Sequence, residues 1–166
     1  TYEFTTVDTA KNRAAEYLVG KNKLVVTDHR GNQFLFIIER SERVSENGQR
    51  VRRVEAYGDH YRLRTSGVIE PTTLAASTLI EAARFVLKNT EWQVGITEYS
   101  GVRTVTFDEY MNPLKALHHL RSVFDIELRF RVEFDGNRII GKYVDFLHPL
   151  EIFDGKEIVY GKDMFG

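Results

Sequence analysis

Five histidines are the first places to look for chemistry in this chain, because imidazole titrates near neutral pH and ligates metals. His118 and His119 are adjacent in a segment of helical period, about a quarter-turn apart, so they cannot converge on one ion as an i, i+4 pair does. Asp28-His29 and Asp59-His60 each set a carboxylate beside an imidazole, yet neighbours on a strand face opposite ways, and both pairs read as turn or solvent residues. His148 precedes Pro149 and reads as part of an extended bend. Asp108-Glu109 stands just before a helix start, where negative charge suits the positive end of the macrodipole without any acid/base role. The chain has no cysteine, which removes thiolate nucleophiles, disulfides and Cys-ligated zinc together. No G-x-G-x-x-G, Walker A or G-x-S-x-G string is present. We therefore assign no catalytic residue, no cofactor-binding residue, no metal ligand and no cofactor.

The other conspicuous chemistry is basic. Arg40, Arg43, Arg50, Arg52, Arg53, Arg62 and Arg64, with Tyr57 and Tyr61 interleaved, form a set that could meet a nucleic-acid backbone. Glu39, Glu42, Glu46 and Glu55 lie among them, and 23 Lys+Arg against 24 Asp+Glu leave a net charge of −1. That balance argues against a general polyanion binder, and no specific nucleic-acid partner is expected. Trp92, the sole tryptophan, reads as a core anchor rather than a stacking platform.

These residues must be positioned by the elements around them. Tyr2, Phe4 and Thr6 alternate like a strand from the first residues, which read as a piece of a longer chain. Leu24 to Thr27 and Phe34 to Ile38 are strand-forming runs separated by the turn formers Asp28 to Asn32. Asn47-Gly48 best tolerates the two positive φ angles of a type I′ turn, and predicts a hairpin with Val44 opposite Val51, Glu42 opposite Arg53, Arg40 opposite Glu55 and Ile38 opposite Tyr57. Thr78 to Glu81 fits a capping box opening a helix to about Lys88. Short strands follow at Trp92 to Ile96 and Thr104 to Phe107. Asn112-Pro113 then opens a second helix with Leu114, Leu117, Leu120, Val123 and Phe124 inward. Leu128, Phe130, Val132 and Phe134 alternate with Glu127, Arg129, Arg131 and Glu133, predicting a strand with one buried and one wet face. After the turn Asp135-Gly136-Asn137, parity places Ile139, Gly141 and Tyr143 on the side of Phe130. A last apolar segment lies around Ile158 to Tyr160. The longest nearly charge-free run, Val68 to Ile80, falls short of the ~20 residues of a membrane span and is broken by Pro71. The expected class is α+β, an antiparallel meander with a barrel-like character followed by a β-α-β-α-β-β segment, divided into subdomains 1–70 and 71–166.

Several of these segments, taken in order, resemble the N-terminal hub region of tail-tip proteins from siphophages and prophages, the family labelled prophage tail endopeptidase or tail-associated lysin. The pieces are Leu24 to Glu39 with its Asp28-His29-Arg30-Gly31 turn, Trp92-Gln93-Val94-Gly95, Arg103 to Phe107, the Pro113 to Leu120 helix, Glu127 to Asp145 ending Gly141-Lys142-Tyr143-Val144-Asp145, and Tyr160-Gly161-Lys162-Asp163. Gly58 to Leu63 departs from the more apolar, acidic sequence that the family tends to have there. The resemblance implies a fold like the baseplate hub domains and a homotrimeric ring at the distal end of the tail tube. It implies distal tail and tail-tube or tape-measure proteins as neighbours, and a place at the virion tail tip after assembly in the host cytoplasm. Hydrolytic activity in such proteins belongs to a separate C-terminal domain, so no enzyme is expected within these residues. Two other readings stay open: a peptidase or cell-wall hydrolase using His60, His118 or His119, and a nucleic-acid module through the Arg40 to Arg64 face.

Overall fold

The computed structural model describes residues 1–9 and 11–149. The expected apolar segment at Ile158 to Tyr160 and the Tyr160 to Asp163 motif lie outside them. Nine strands and two α-helices follow in the order β1 (Tyr2–Val7), β2 (Lys23–Thr27), β3 (Gln33–Glu46), β4 (Gln49–Gly58), β5 (Thr72–Thr78), α1 (Leu79–Leu87), β6 (Gln93–Thr97), β7 (Val102–Phe107), α2 (Pro113–Phe124), β8 (Glu127–Asp135) and β9 (Arg138–Leu147), with short 3-10 turns at Arg13–Tyr17 and Asp59–Arg64.

One sheet has the order β1-β4-β3-β8-β9-β6, with β2 also paired to β3; β5 and β7 form a separate two-stranded ribbon. All pairings are antiparallel except β6 on β9. β3 runs past the end of β4, and there Gln33 pairs with Val132 of β8, which joins the meander to the later strands. The class is α+β, but the sheet stays open, so the barrel-like expectation is corrected: β1 and β6 end the strand order without meeting. The expected β-α-β-α-β-β order gains its extra strand between the helices, where β6 and β7 both stand, and becomes β-α-β-β-α-β-β. The bounds of β5 are not legible in the sequence because Ala75 and Ala76 interrupt its alternation; a bulge lies between Leu74 and Ser77, and Ala76 sits at φ +48°.

The local signals act as their chemistry dictates. Asn47 and Gly48 both take positive φ, at 50° and 77°. Thr78 Oγ1 accepts from the Glu81 N–H at 3.2 Å, while the Glu81 carboxylate accepts from the Thr78 N–H at 2.8 Å, the reciprocal capping box. Asn112 Oδ1 accepts from the Lys115 N–H with Pro113 at the first helical position. Both helices lay Leu79, Val86, Leu114, Leu117, Leu120 and Phe124 into one core with Trp92, Phe107, Val144 and Phe146. Each helix touches both the ribbon and the large sheet.

Two bulges redirect side chains that simple alternation misplaces. In the first hairpin Val44 faces Val51, Glu42 faces Arg53 and Arg40 faces Glu55, as parity from the turn requires. Glu39 is then an extra residue, so Ile38 faces Ala56, and Tyr57 faces Ile37 instead. In the second hairpin Phe134 faces Ile139, but Ile140 is extra and Glu133 faces Gly141. Lys142, Val144 and Phe146, not Gly141 and Tyr143, therefore share the face of Phe130. One inserted residue exchanges the two faces of everything beyond it.

Candidate functional site

The second bulge places a lysine on the core side of the sheet and an aspartate on the other, and around each a charged centre is built. On the core side β4 ends at Gly58 and the chain turns into Asp59–Arg64. A Cβ on Gly58 would stand 2.3 Å from the His60 ring, so glycine here lets the imidazole fold back. That ring stacks on Phe130, with centroids 4.3 Å apart and planes 11° off parallel. Asp59 turns the opposite way and is 1% exposed. Its Oδ2 accepts from Lys142 Nζ at 2.6 Å, and the same ammonium donates to Glu91 Oε2 at 2.7 Å while standing 5.9 Å above the Trp92 ring. Arg62 lies 3.6 Å from Asp59 Oδ1. A cleft of about 460 Å³ opens beside this centre, lined by Asp59, Arg62, Ser66, Asn89, Glu91 and Trp92 among others.

Burial by itself pulls the Lys142 ammonium toward deprotonation; the hydrogen bonds it donates to Asp59 and Glu91 outweigh that and hold the group above the ordinary lysine range. Glu91 is held below its ordinary value, chiefly by that same lysine. A lysine kept protonated between two carboxylates cannot serve as an amine nucleophile. The His60 imidazole is pushed down to about 4, first by burial and then by the positive charge that His118 can carry. It is neutral at pH 7, but faces Phe130 and not Asp59.

On the other face Asp145 is fully buried. Its Oδ1 accepts from the Ile96 N–H at 2.8 Å. Its Oδ2 accepts from Arg129 Nε at 3.0 Å and Nη2 at 2.8 Å, and from Arg131 Nε at 2.8 Å. Arg131 also donates to Glu133 at 2.6 Å and lies 4.7 Å over the Tyr143 ring. A Cβ on Gly95 would fall 2.1 Å from Asp145 Oδ1, which is why a glycine stands where β6 passes over the carboxylate. The expected wet face of β8 is thus corrected: Arg129 and Arg131 are largely covered and satisfy a carboxylate that would be costly alone. Asp59 does sit at a turn, as expected, but is buried there and not in solvent.

The other residues singled out in the sequence do not converge on either centre. Asp28 accepts from the Arg30 and Asn32 N–H groups, both at 2.8 Å, and from the Asn32 side chain at 2.8 Å; that last bond leads the effects that lower its pKa. Exposed His29 borders a groove of about 720 Å³ shared with Ile96, Glu98, Leu128 and His148. His118 is exposed, and His119 lies 5.5 Å from Phe107 with a buried Nε2 that has no partner. Asp108 and Glu109 are exposed, Glu109 pairing with Lys115. Trp92 is a core residue, edge-on to Phe130 at 5.5 Å. Among the described residues no histidine side chain is hydrogen-bonded to a carboxylate, and no group of three or more His, Asp or Glu could hold a metal ion. Of the seven arginines from Arg40 to Arg64, Arg40, Arg43, Arg52, Arg53 and Arg62 each meet a carboxylate, and Arg64 lies 4.8 Å over the Tyr61 ring. No helix among the described residues is long and apolar enough to cross a membrane.

An α+β fold whose buried charges are engaged with one another, beside two open clefts, defines a domain in which charge serves architecture. Residues 66–146, just under half of the chain and containing β5 to β8, both helices and most of β9, match the family model described as the prophage endopeptidase tail domain. That segment is similar to this prophage tail family, which points to a phage tail protein. The word endopeptidase describes the family and does not by itself give this chain an activity. No curated protein matches the chain.

Proposed function

We propose that this chain is a structural hub component at the distal end of a phage or prophage tail. It binds copies of itself as a homotrimeric ring and caps the tail tube against distal tail, tube or tape-measure proteins. The observation that carries the reading is the match of residues 66–146 to a prophage tail domain. The use of Asp59, Lys142, Asp145, Arg129 and Arg131 in internal pairing supports it, because among the described residues these charges hold strands and turns together. In this reading residues 1–70 and 71–166 act as two hub subdomains, joined through Asp59–Lys142 and the Gln33–Val132 bridge. Immunogold labelling of isolated tails with antibody against this chain should mark one end only, and ultracentrifugation of the full chain should show a trimer. Label along the tube, or absence from tails, overturns the reading.

The family description favours one second reading, a peptidase or wall hydrolase. Clearing of bacterial wall in a zymogram that is lost in His60→Ala, His118→Ala or His119→Ala would establish it. Absence of clearing by the full chain excludes it.

A further inference from the structure

The large sheet contains two like-charge cross-strand pairs, and among the described residues one of them is bridged by an opposite charge. Arg43 faces Arg52 between β3 and β4, and Asp8 stands between them, 2.7 Å from one guanidinium and 3.3 Å from the other. Glu3 faces Glu55 between β1 and β4, and among the described residues neither carboxylate has a cationic partner. Arg40, next in the same row, pairs with Glu42 instead. Like charges directly opposite cost stability, so a cation brought beside Glu3 would relieve this pair.

Exposed sheet edges are normally blunted by lysine, proline or a bulge. β2 begins with Lys23. β5 follows Pro71 and is bulged at Ala76. β6 has a register shift, and its Ile96 N–H is taken by Asp145. β1 and β7 are different: both are six residues long, regular, and paired on one edge only among the described residues. Each carries one charge, and the charges are opposite, Glu3 on β1 and Arg103 on β7. Arg103 donates to the Tyr99 hydroxyl at 3.2 Å and has no carboxylate partner among the described residues.

We propose that β1 of one copy adds in parallel to the unpaired edge of β7 of the next, with Glu3 opposite Arg103. The proposal rests on the hub reading and names its seam. A parallel register runs from Tyr2 beside Val102 to Thr6 beside Thr106, stopping where Asn12 already holds the Val7 carbonyl at 2.7 Å. An antiparallel register with the same charge pairing would overlap only at residues 2–4 and 102–104. The parallel register also sets Tyr2 against Val102, which is 60% exposed in the single chain. Because the two edges are different surfaces, the contact is head-to-tail, the kind that builds a ring when its rotation closes.

The absence of cysteine makes the seam directly testable. Adjacent strands lie about 4.8 Å apart, within disulfide reach. A full-length chain carrying both Glu3→Cys and Arg103→Cys should, on oxidation, give a covalent ladder ending at a ring and collapsing to monomer with reductant. Glu3→Cys with Thr106→Cys should give less than a tenth of that product. Glu3→Arg and Arg103→Glu should each weaken association at least tenfold, and the two together should restore it. Rings that form without the 3–103 bond and without charge-swap rescue overturn the seam while leaving the hub reading intact. A chain that stays monomeric at high concentration and is absent from tails overturns both.

Discussion

The two buried carboxylates solve the same problem in opposite ways. Asp59 is neutralised by a lysine that is itself almost fully covered, so both partners of that pair have left water. Asp145 is neutralised by two arginines that retain partial access to solvent, at 23% and 16% exposure. The first centre ties the Asp59–Arg64 turn to β9 and the α1–β6 loop; the second clamps β6 to β8 across β9. Losing a partner strands a charge in the first centre but releases arginines toward water in the second. The cost of breaking a buried pair is set by what the remaining partner can reach.

The largest expected effect is therefore Lys142→Ala, which leaves Asp59 buried and should cost about 3–5 kcal/mol in urea unfolding. Asp145→Ala should cost less, about 2–3 kcal/mol, for lost charged hydrogen bonds. Gly95→Ala drives its Cβ onto the same carboxylate, so the double variant should lose less than the sum of the two single losses. If Asp145→Ala proves as costly as Lys142→Ala, the distinction between the centres fails.

pH separates them further, because only the first has a histidine beside it. The folded His60 imidazole titrates at about 4 and the ordinary group at 6.5. As pH falls through that window the unfolded chain binds a proton that the folded chain refuses. The His60 contribution to stability should thus decline from pH 6.5 to 4 and level off below, by about 2 kcal/mol after allowance for the ring's partial exposure. His60→Phe keeps the stack on Phe130 and should flatten that slope in thermal melts across the window, whereas Asp145→Ala should leave it unchanged. The smallest effect belongs to neither centre: Thr78→Ala removes the N-cap of α1 and should cost about 1 kcal/mol by chemical denaturation.

Much of the architecture was legible because its signals are local. Asn47-Gly48, the Thr78–Glu81 box and Asn112-Pro113 each act within four residues, and the hairpin register from Val44 to Arg40 follows from the turn by parity. The bulges at Glu39 and Ile140 were not legible, because an extra residue is accommodated by the partner strand and by what lies above it. The error then spreads: with Ile140 unread, parity puts Gly141 and Tyr143 on the face that Lys142 and Val144 occupy, and Arg129 and Arg131 on the outer face of β8 are the cover of a buried carboxylate. The bounds of β5 are hidden for a related reason, since its pairing with β7 outweighs the weak strand preference of Ala75 and Ala76.

The amino-acid order alone determined the turns, the caps, the two helices and the α+β class, all encoded in short spacings that need no distant partner. Only the tertiary structure decided which charges are buried and with whom, because Asp59 meets Lys142 across 83 positions of chain and Ile96 meets Asp145 across 49. Such pairs become favourable only after the sheet has excluded water from both sides, and no local pattern records that exclusion.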